Sequence, residues 1–233
     1  MAMIVEYCGE RHRVPPDEWL TLGREGDVVL DDNPYLHRQF LRVGSADGLS
    51  WIINNGHQLA ATVSDSEARV QAWLAPGARL PLVFEHTIVR FTAGRTTYEV
   101  DVHISEPVFS DPMGLPDTTG ETTIGLVTFT RDQRLLIVAL AEPMLRSGGR
   151  GTNATLPSSS EAADRLGWTL SRFNRKLDNV CDKLSKVGVQ GLHGGPGDLA
   201  SNRRARLVEY ALSVRLISTD DLVLLDEPAS ADD

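Results

Sequence analysis

The stretch TLSRFNRKLDNVCDKLSKV, residues 169–187, carries apolar side chains at a helical spacing. They recur every three or four positions, at Leu170, Phe173, Leu177, Val180, Leu184 and Val187. Because an α-helix has 3.6 residues per turn, this spacing places them on one face. The stretch therefore predicts a helix that packs against a core through that face.

Two further helices are predicted upstream of residue 169. SSSEAADRL has Ser158 or Ser159 as a suitable N-cap, Glu161 in its first turn, and Gly167 at a natural stop position. DQRLLIVALAEPMLR, residues 132–146, has the apolar density of a buried helix, with Thr130 as its N-cap. Pro143 is expected to kink or end that helix, and SGGRGTNATLP, residues 147–157, is predicted to be a loop.

Downstream of residue 187, the glycine-rich GVQGLHGGPGD predicts the tip of a β-hairpin. SNRRARLVEYALSVRL, residues 201–216, then predicts an amphipathic helix capped by Ser201 or Asn202.

The charge of the chain is polarised. Its net charge is −9, yet the window from Arg165 to Arg206 holds nine cations against three aspartates, a net of +6. Cations neutralise phosphates, and Arg or Asn can read base edges. The candidate DNA-binding residues are Thr169, Ser171, Arg172, Arg175, Lys176, Asn179, Lys183, His193, Arg203 and Arg204. The other interpretation is that these side chains form the solvated face of an amphipathic helix.

The segment EAADRLGWTLSRFNRKLDNVCDKL resembles the helix, tight turn and recognition helix of bacterial winged helix-turn-helix regulators. The resemblance covers about residues 130–225. It implies that the helix over 169–187 enters the major groove of duplex DNA and that residues 189–199 form the wing. The arginine-rich helix that follows the wing departs from the family pattern.

Residues 1–106 show a different period, with short apolar or alternating runs separated by turn residues. The runs cover residues 4–7, 19–22, 27–30, 40–43, 51–53, 70–74, 87–91 and 97–104. This arrangement is typical of an all-β sandwich.

Gly23-Arg24, the basic loop PYLHRQF and Asn55-Gly56 follow one another as in a forkhead-associated domain. The chain resembles such a domain over roughly Ile4 to Ser105. The resemblance implies an eleven-stranded sandwich that binds phosphothreonine peptides through loops at one end. Its candidate peptide-binding residues here are Arg24, His37, Arg38 and Asn55.

The middle element of that pattern is altered. Leu36-His37 stands where the family has Ser-Arg, and Gln39 stands where it has a structural histidine. Leu36 supplies no phosphate donor, and Arg38 is one position away from the family's arginine. Two interpretations stay open: phosphothreonine binding, or a divergent module for protein contact or dimerisation.

Residues 107–126 are predicted to be a linker because the segment is rich in proline and has no long apolar face. Its threonines Thr118, Thr119, Thr122 and Thr123 lie beside acidic residues and are candidate Ser/Thr kinase sites. The alternative is a threonine-rich linker without modification.

Several function classes lack their sequence signals. Cys8 and Cys181 lie far apart, so no disulfide framework is predicted, and a reduced, cytoplasmic compartment is expected. The six histidines form no helical metal-binding pair, and neither a nucleophile elbow nor a phosphate-binding loop is present. We therefore expect no enzyme, metal or cofactor, and no membrane span.

The sequence thus predicts an α+β multidomain protein. Its parts are an all-β sandwich over 1–106, a linker over 107–126, a mostly α winged helix-turn-helix domain over 127–225 and an acidic tail over 226–233. The predicted function is a regulatory protein that binds duplex DNA and a protein or phosphothreonine partner. The alternative is an adaptor, downstream of a Ser/Thr kinase, in which both domains contact proteins. By analogy, the combination suggests an actinobacterial-type bacterial signalling protein.

Overall fold

The computed structural model describes residues 3–105, 127–147, 151–189, 191–192 and 200–226. The chain divides into two compact units. The first is Met1–Leu126 with Arg150–Asn153, and the second is Val127–Gly149 with Ala154–Asp233. The predicted linker, its four threonines, most of the predicted wing with His193, and the acidic tail beyond Asp226 lie outside the described residues.

Residues 3–105 form eleven β-strands in two sheets. The strands are β1 (Met3–Tyr7), β2 (Glu10–Val14), β3 (Trp19–Gly23), β4 (Val28–Val29), β5 (Leu41–Ala46), β6 (Leu49–Asn54), β7 (Ala61–Asp65), β8 (Gln71–Leu74), β9 (Arg79–Leu82), β10 (His86–Ala93) and β11 (Thr96–Ile104). One sheet has the order β2-β1-β11-β10-β7-β8, and a short strand β12 (Asn153–Thr155) also pairs with β11. The other sheet has the order β4-β3-β5-β6-β9.

The core of the first unit lies between these two sheets. Alternate residues of β10 and β11 point into it, so that Val89 faces Val100 and Phe91 faces Tyr98 across the pair. Phe40, from the loop before β5, packs on Phe91 with ring centroids 4.6 Å apart. The prediction of an N-terminal β-sandwich is therefore confirmed, and its eleven strands equal the number that the forkhead-associated resemblance implies.

Two of the hairpins turn on residue pairs that both have positive φ. The pairs are Cys8-Gly9, with φ of 49° and 81°, and Asp47-Gly48, with φ of 55° and 75°. Two-residue turns of this handedness match the twist of the strands that they join. The sequences CGE and ADG therefore form the turns between β1 and β2 and between β5 and β6.

The second unit is helical. It contains α1 (Arg131–Arg146), α2 (Ser159–Arg165), α3 (Leu170–Lys186), α4 (Ala200–Ser213) and a 3₁₀ helix over Thr219–Leu225. Capping boxes with Thr130 and Ser158 begin α1 and α2, as predicted. The expected α+β architecture is confirmed.

The apolar face of α3 and most sides of α1 form the core of the second unit. Phe173, Leu177, Val180 and Leu184 of α3 are buried, whereas Leu170 and Val187, at the two ends of the predicted stripe, are 47% and 46% exposed. In α1, every residue from Leu135 to Ala141 is buried. The periodicity predicted the centre of the stripe correctly and extended it too far at both ends.

Several local predictions were wrong. The helix α4 begins at Ala200, so Ser201 and Asn202 lie inside its first turn and are not its N-cap. Pro143 does not end α1, as one of its two expected effects required, because the helix continues three residues beyond it. The predicted loop 147–157 contains β12, and β2, β7 and β9 were not predicted because their sequences ERHRV, ATVSD and RLPL lack a clear apolar alternation.

Candidate functional site

The loop after β3 is built around close backbone contacts. The amide of Arg24 donates to the carbonyl oxygen of His37 at 3.2 Å, and the amide of Glu25 donates to that of Arg38 at 2.8 Å. A Cβ atom on Gly23 would lie 2.2 Å from the Arg38 carbonyl oxygen, so only glycine fits there. The Gly-Arg pair of the sequence therefore holds Arg24 beside the loop that carries His37 and Arg38.

A second set of hydrogen bonds closes the turn that contains Arg24. One carboxylate oxygen of Asp27 accepts from the hydroxyl of Thr21 at 2.6 Å and from its amide at 2.8 Å. These two bonds, the hydroxyl first, lower the pKa of Asp27. The turn is thus fixed at its two ends by an ionised carboxylate.

The loop after β6 is fixed by the buried side chain of Asn54. Its amide nitrogen donates to the carbonyl oxygens of Leu59 at 2.8 Å and Leu74 at 3.1 Å, and its oxygen accepts from the amide of Gly56 at 2.8 Å. A Cβ atom on Gly56 would lie 2.9 Å from the Phe40 ring. The amide of Asn55 donates to the Phe40 carbonyl at 2.8 Å, which joins this loop to the loop before β5.

Two open cavities meet between these loops. One, of about 220 Å³, is lined by Pro34, Tyr35, Leu36, His37, Phe40, Gly56, His57, Gln58 and Leu59. The other, of about 390 Å³, is lined by Ile53, Asn54, Asn55, Gly56, His57, Pro76 and Gly77. Gly56 and His57 belong to both, so the exposed imidazole of His57 stands at their junction. We call these two cavities and their rim the loop end of the sandwich.

The predicted peptide-binding residues gather at this loop end in different roles. His37 and Asn55 line the cavities, and the His37 ring meets the His57 ring edge-on with centroids 5.4 Å apart. Arg24 is half-buried beside His37 and lines neither cavity. Arg38 is exposed and lies 3.4 Å from the carboxylate of Glu25.

Two positions that depart from the forkhead-associated pattern, Leu36 and Gln39, differ in their burial. Leu36 is 2% exposed and belongs to the core of the sandwich, whereas Gln39 is exposed. The residue that sequence reasoning missed is His57. Its signal was its place directly after Asn55-Gly56, a pair that was already assigned to the site.

In the second unit, a four-residue turn separates α2 from α3. Gly167 in this turn has a φ of 65°, and the side-chain oxygen of Thr169 accepts from the amide of Arg172 at 3.2 Å. Thr169, a predicted DNA-binding residue, is therefore the N-cap of α3.

The polar face of α3 divides into two rows. The first row, Arg172, Lys176 and Lys183, contacts the start of α1. Arg172 and Lys176 lie 2.9 and 3.0 Å from the carboxylate of Asp132. Lys183 donates to the side-chain oxygen of Gln133 at 2.8 Å. We call this row the inner row; its cations hold α1 against α3.

The second row consists of the predicted residues Ser171, Arg175 and Asn179, together with Lys186. All four are exposed. We call them the outer row. Of the predicted residues on α4, Arg203 lies 2.6 Å from Asp178, and Arg204 donates to the hydroxyl of Ser159 at 2.9 Å. The nine predicted DNA-binding residues that the structure describes thus do not form one surface. The outer row faces solvent, and the exposed Asp178 and Asp182 lie on the same helix.

The inner row changes the ionisation of its acidic partner. Burial alone would raise the pKa of Asp132, but the hydrogen bonds from Lys176 and Arg172 outweigh burial and lower it. Asp132 is therefore ionised at neutral pH in the folded chain.

Among the described helices, none combines the length and the apolar character that crossing a membrane requires. No family model and no curated protein matches the sequence.

Two solved structures are similar to part of the chain. One is the first forkhead-associated domain of Rv1747 from Mycobacterium tuberculosis, at 15% identity and a TM-score of 0.33, covering 45% of this chain and 97% of that domain. The other is the forkhead-associated domain of a hypothetical protein from Arabidopsis thaliana, at 13% identity and a TM-score of 0.34, covering 48% and 91%.

Proposed function

We propose that the chain is a binding protein whose β-sandwich holds a segment of a partner protein at the loop end. The observation that carries this proposal is the pair of cavities that meet at His57, with His37 and Asn55 in their walls. Concave sites with a few polar groups are typical places for ligand side chains. The forkhead-associated resemblance, which concerns this same end of the sandwich, agrees with this location.

The segment is recognised mainly through its shape and hydrogen bonds rather than through a phosphate. Leu36 is buried in the core and donates nothing, and Arg38 already faces Glu25. A phosphate requires several charge-assisted donors. At this loop end it would depend on Arg24 and on the imidazoles of His37 and His57.

Selection from a display library of random peptides, prepared with threonine and with phosphothreonine, tests the proposal. We expect unphosphorylated peptides to bind the full chain and to lose most of their affinity in His57→Ala and Asn55→Ala. Arg13→Ala, an exposed arginine of β2 in the other sheet, is the matched control and should bind like the wild type.

Peptides that bind all three variants equally would contradict the location. Selection of phosphothreonine peptides alone, with binding lost in Arg24→Ala, would mean that the loop end recognises a phosphate and not the shape of the segment.

A second candidate function is duplex DNA binding by the helical unit. It is favoured by the outer row of α3, which presents Arg175, Asn179 and Lys186 to solvent after the four-residue turn from α2. Arginine, lysine and asparagine are residues that contact phosphates and base edges. With DNA binding, the chain is a regulator; without it, the chain is an adaptor.

The two rows of α3 supply the experiment. Fluorescence anisotropy on random duplex DNA at low salt should show binding that weakens in Arg175→Ala with Lys186→Ala. Arg172→Ala with Lys176→Ala removes the same charge from the inner row and should affect folding stability more than affinity. Absence of binding at low salt, or equal affinity losses in both double variants, would contradict DNA binding by the outer row and favour the adaptor function.

A further inference from the structure

A cluster of two histidines and one aspartate lies on the outer face of β10 and β11, in the sheet that does not carry the loop end. His86 and His103 are directly opposite each other in the strand pair, with stacked rings whose centroids are 4.3 Å apart. Nε2 of His86 lies 2.5 Å from Oδ1 of Asp101. One ligand atom from each of the three residues lies within 4.8 Å of the others.

Asp101 is held so that one carboxylate oxygen faces the histidines. Its side chain is 3% exposed, and Oδ2 accepts from the amide of Gly151 at 2.6 Å. This second bond fixes the orientation of the carboxylate, as outer hydrogen bonds do for metal ligands. The side chain of His86 remains 29% exposed, which leaves a path for an ion from solvent.

The charge around the cluster suits a cation. Glu6 of β1 lies opposite Asp101, and its carboxylate is 2.9 Å from Arg11. The carboxylates of Asp101 and Glu6 and the guanidinium of Arg11 together leave one negative charge beside the two imidazoles.

We propose that His86, Asp101 and His103 bind a divalent transition-metal ion of the Zn²⁺ class. Two imidazoles and one carboxylate are a ligand set that Zn²⁺ accepts, whereas Ca²⁺ and Mg²⁺ require oxygen ligands. The ion replaces the hydrogen bond between Nε2 of His86 and Oδ1 of Asp101, and the neutral imidazole that binds the ion carries its one proton on Nδ1. Small rotations of the two stacked rings bring both nitrogens onto the ion, and water completes the tetrahedron.

Calorimetric titration of the full chain with ZnCl₂ tests the site. The protein is treated with a chelator beforehand and carries Cys8→Ser, because Cys8 is exposed and a thiolate would bind zinc independently. We expect one equivalent of zinc to bind. Affinity should fall by about tenfold or more in His86→Ala and in His103→Ala, as is typical when a ligand shell is disturbed.

His57→Ala is the matched control, since it removes an exposed histidine of the loop end, and should leave zinc affinity unchanged. Co²⁺ gives a second readout, because tetrahedral coordination produces strong visible absorption that loosely bound surface ions do not. Where an alanine variant fails to fold, His103→Phe keeps the stacked ring and still removes the ligand. Zinc binding that is absent, or that persists equally in the His86 and His103 variants, would overturn the proposal.

Discussion

At the residue scale, Leu36 and Gly23 determine what the loop end can bind. Leu36 is buried in the core, so its position offers no hydrogen-bond donor to a ligand. The Arg38 carbonyl oxygen lies so close to Gly23 that the backbone of the two loops is fixed there. The loop end therefore has a fixed backbone but few of the donors that a phosphate requires, which is why we favour a ligand without a phosphate.

Gly23→Ala should destabilise the sandwich by roughly 2–3 kcal/mol, because an overpacked Cβ must displace backbone atoms of the loop at His37-Arg38. Gly48→Ala is the matched control. Gly48 has a φ of 75° but no atom within 4 Å of the added carbon, so it incurs only the conformational penalty of about 1 kcal/mol. Denaturant unfolding of the two variants compares them, and an equal loss in both would contradict the close approach at Gly23.

The single residues of the sites were predictable only in part. Arg24, His37, Arg38 and Asn55 follow from a sequence pattern, and the structure brings all four to one end of the sandwich. What a pattern does not contain is the direction of each side chain. The ion pair of Arg38 with Glu25 depends on the path of two loops whose contacts are non-local.

At the element scale, the β10–β11 hairpin explains why sequence analysis did not predict the cluster of His86, Asp101 and His103. Gly94 and Arg95 turn the chain, so Ala93 pairs with Thr96 and His86 pairs with His103. Histidines seventeen positions apart look scattered in a sequence. A hairpin centred on Gly94-Arg95, combined with the period of two along each strand, would have placed them side by side.

The contact between α1 and α3 predicts a pH dependence of stability. The folded pKa of Asp132 lies below its ordinary value of 3.8. The ion pairs therefore stabilise the fold fully above about pH 5, and their contribution is lost as the pH falls through the lowered pKa. Asp132→Asn should lower the free energy of unfolding at pH 7 by roughly 0.5–1 kcal/mol, because the pairs are partly solvated.

The measurement is urea unfolding of wild type and Asp132→Asn at pH 7 and at pH 3. The difference between the two proteins should shrink at pH 3, because this pH lies below the ordinary pKa of 3.8, at which the carboxyl of Asp132 takes up a proton in the unfolded chain. Comparing the difference removes the parallel effects of Asp221 and Glu142, whose pKa values are also lowered. A difference that grows on acidification would contradict the role of the inner row.

The two ends of the α3 stripe give a second element-scale prediction. Leu177→Ala opens a cavity in the core and should lower the free energy of unfolding by about 2–5 kcal/mol. Leu170→Ala, at a position that is 47% exposed, should change it by less than about 0.5–1 kcal/mol. Thermal or chemical unfolding separates the two, and similar losses would mean that the stripe is buried along its whole length.

At the scale of the whole molecule, the first unit takes in a piece of chain from beyond α1. The carbonyl oxygen of Thr152 accepts from the amide of Glu99 at 2.7 Å, and the amide of Cys8 donates to the carbonyl oxygen of Gly151. The side chain of Asn153 donates to the hydroxyl of Tyr7 at 2.7 Å. Sequence analysis placed a loop here because pairing with a strand more than fifty positions away leaves no local signal.

Tyr7→Phe tests this arrangement. The Tyr7 hydroxyl also donates to the carbonyl oxygen of Leu30 at 2.8 Å. Tyr7→Phe therefore removes a hydrogen-bond partner from the buried Leu30 carbonyl and from the half-buried side chain of Asn153. We expect the free energy of unfolding of the first unit to fall by about 1–3 kcal/mol. Tyr35→Phe, at a side chain that is 68% exposed, is the control and should be neutral.

The distribution of charge is the other property of the whole chain that matters for function. The net charge of −9 suggests a protein that avoids nucleic acid, whereas its basic window suggests the opposite. Cations of the inner row use part of this positive charge in ion pairs within the protein. The cations of the outer row are exposed and can contact a partner. Composition located the basic segment, but only the packing of α1 on α3 separates its structural cations from its exposed ones.

Amide hydrogen exchange with and without a selected peptide tests the central claim most directly. At saturating peptide, exchange should slow in the segments that line the loop end, residues 34–40, 53–59 and 76–77, and the rest of the sandwich should change little. Binding of the peptide with protection confined to other strands, or to the helical unit, would contradict the assignment of the loop end as the protein-binding site.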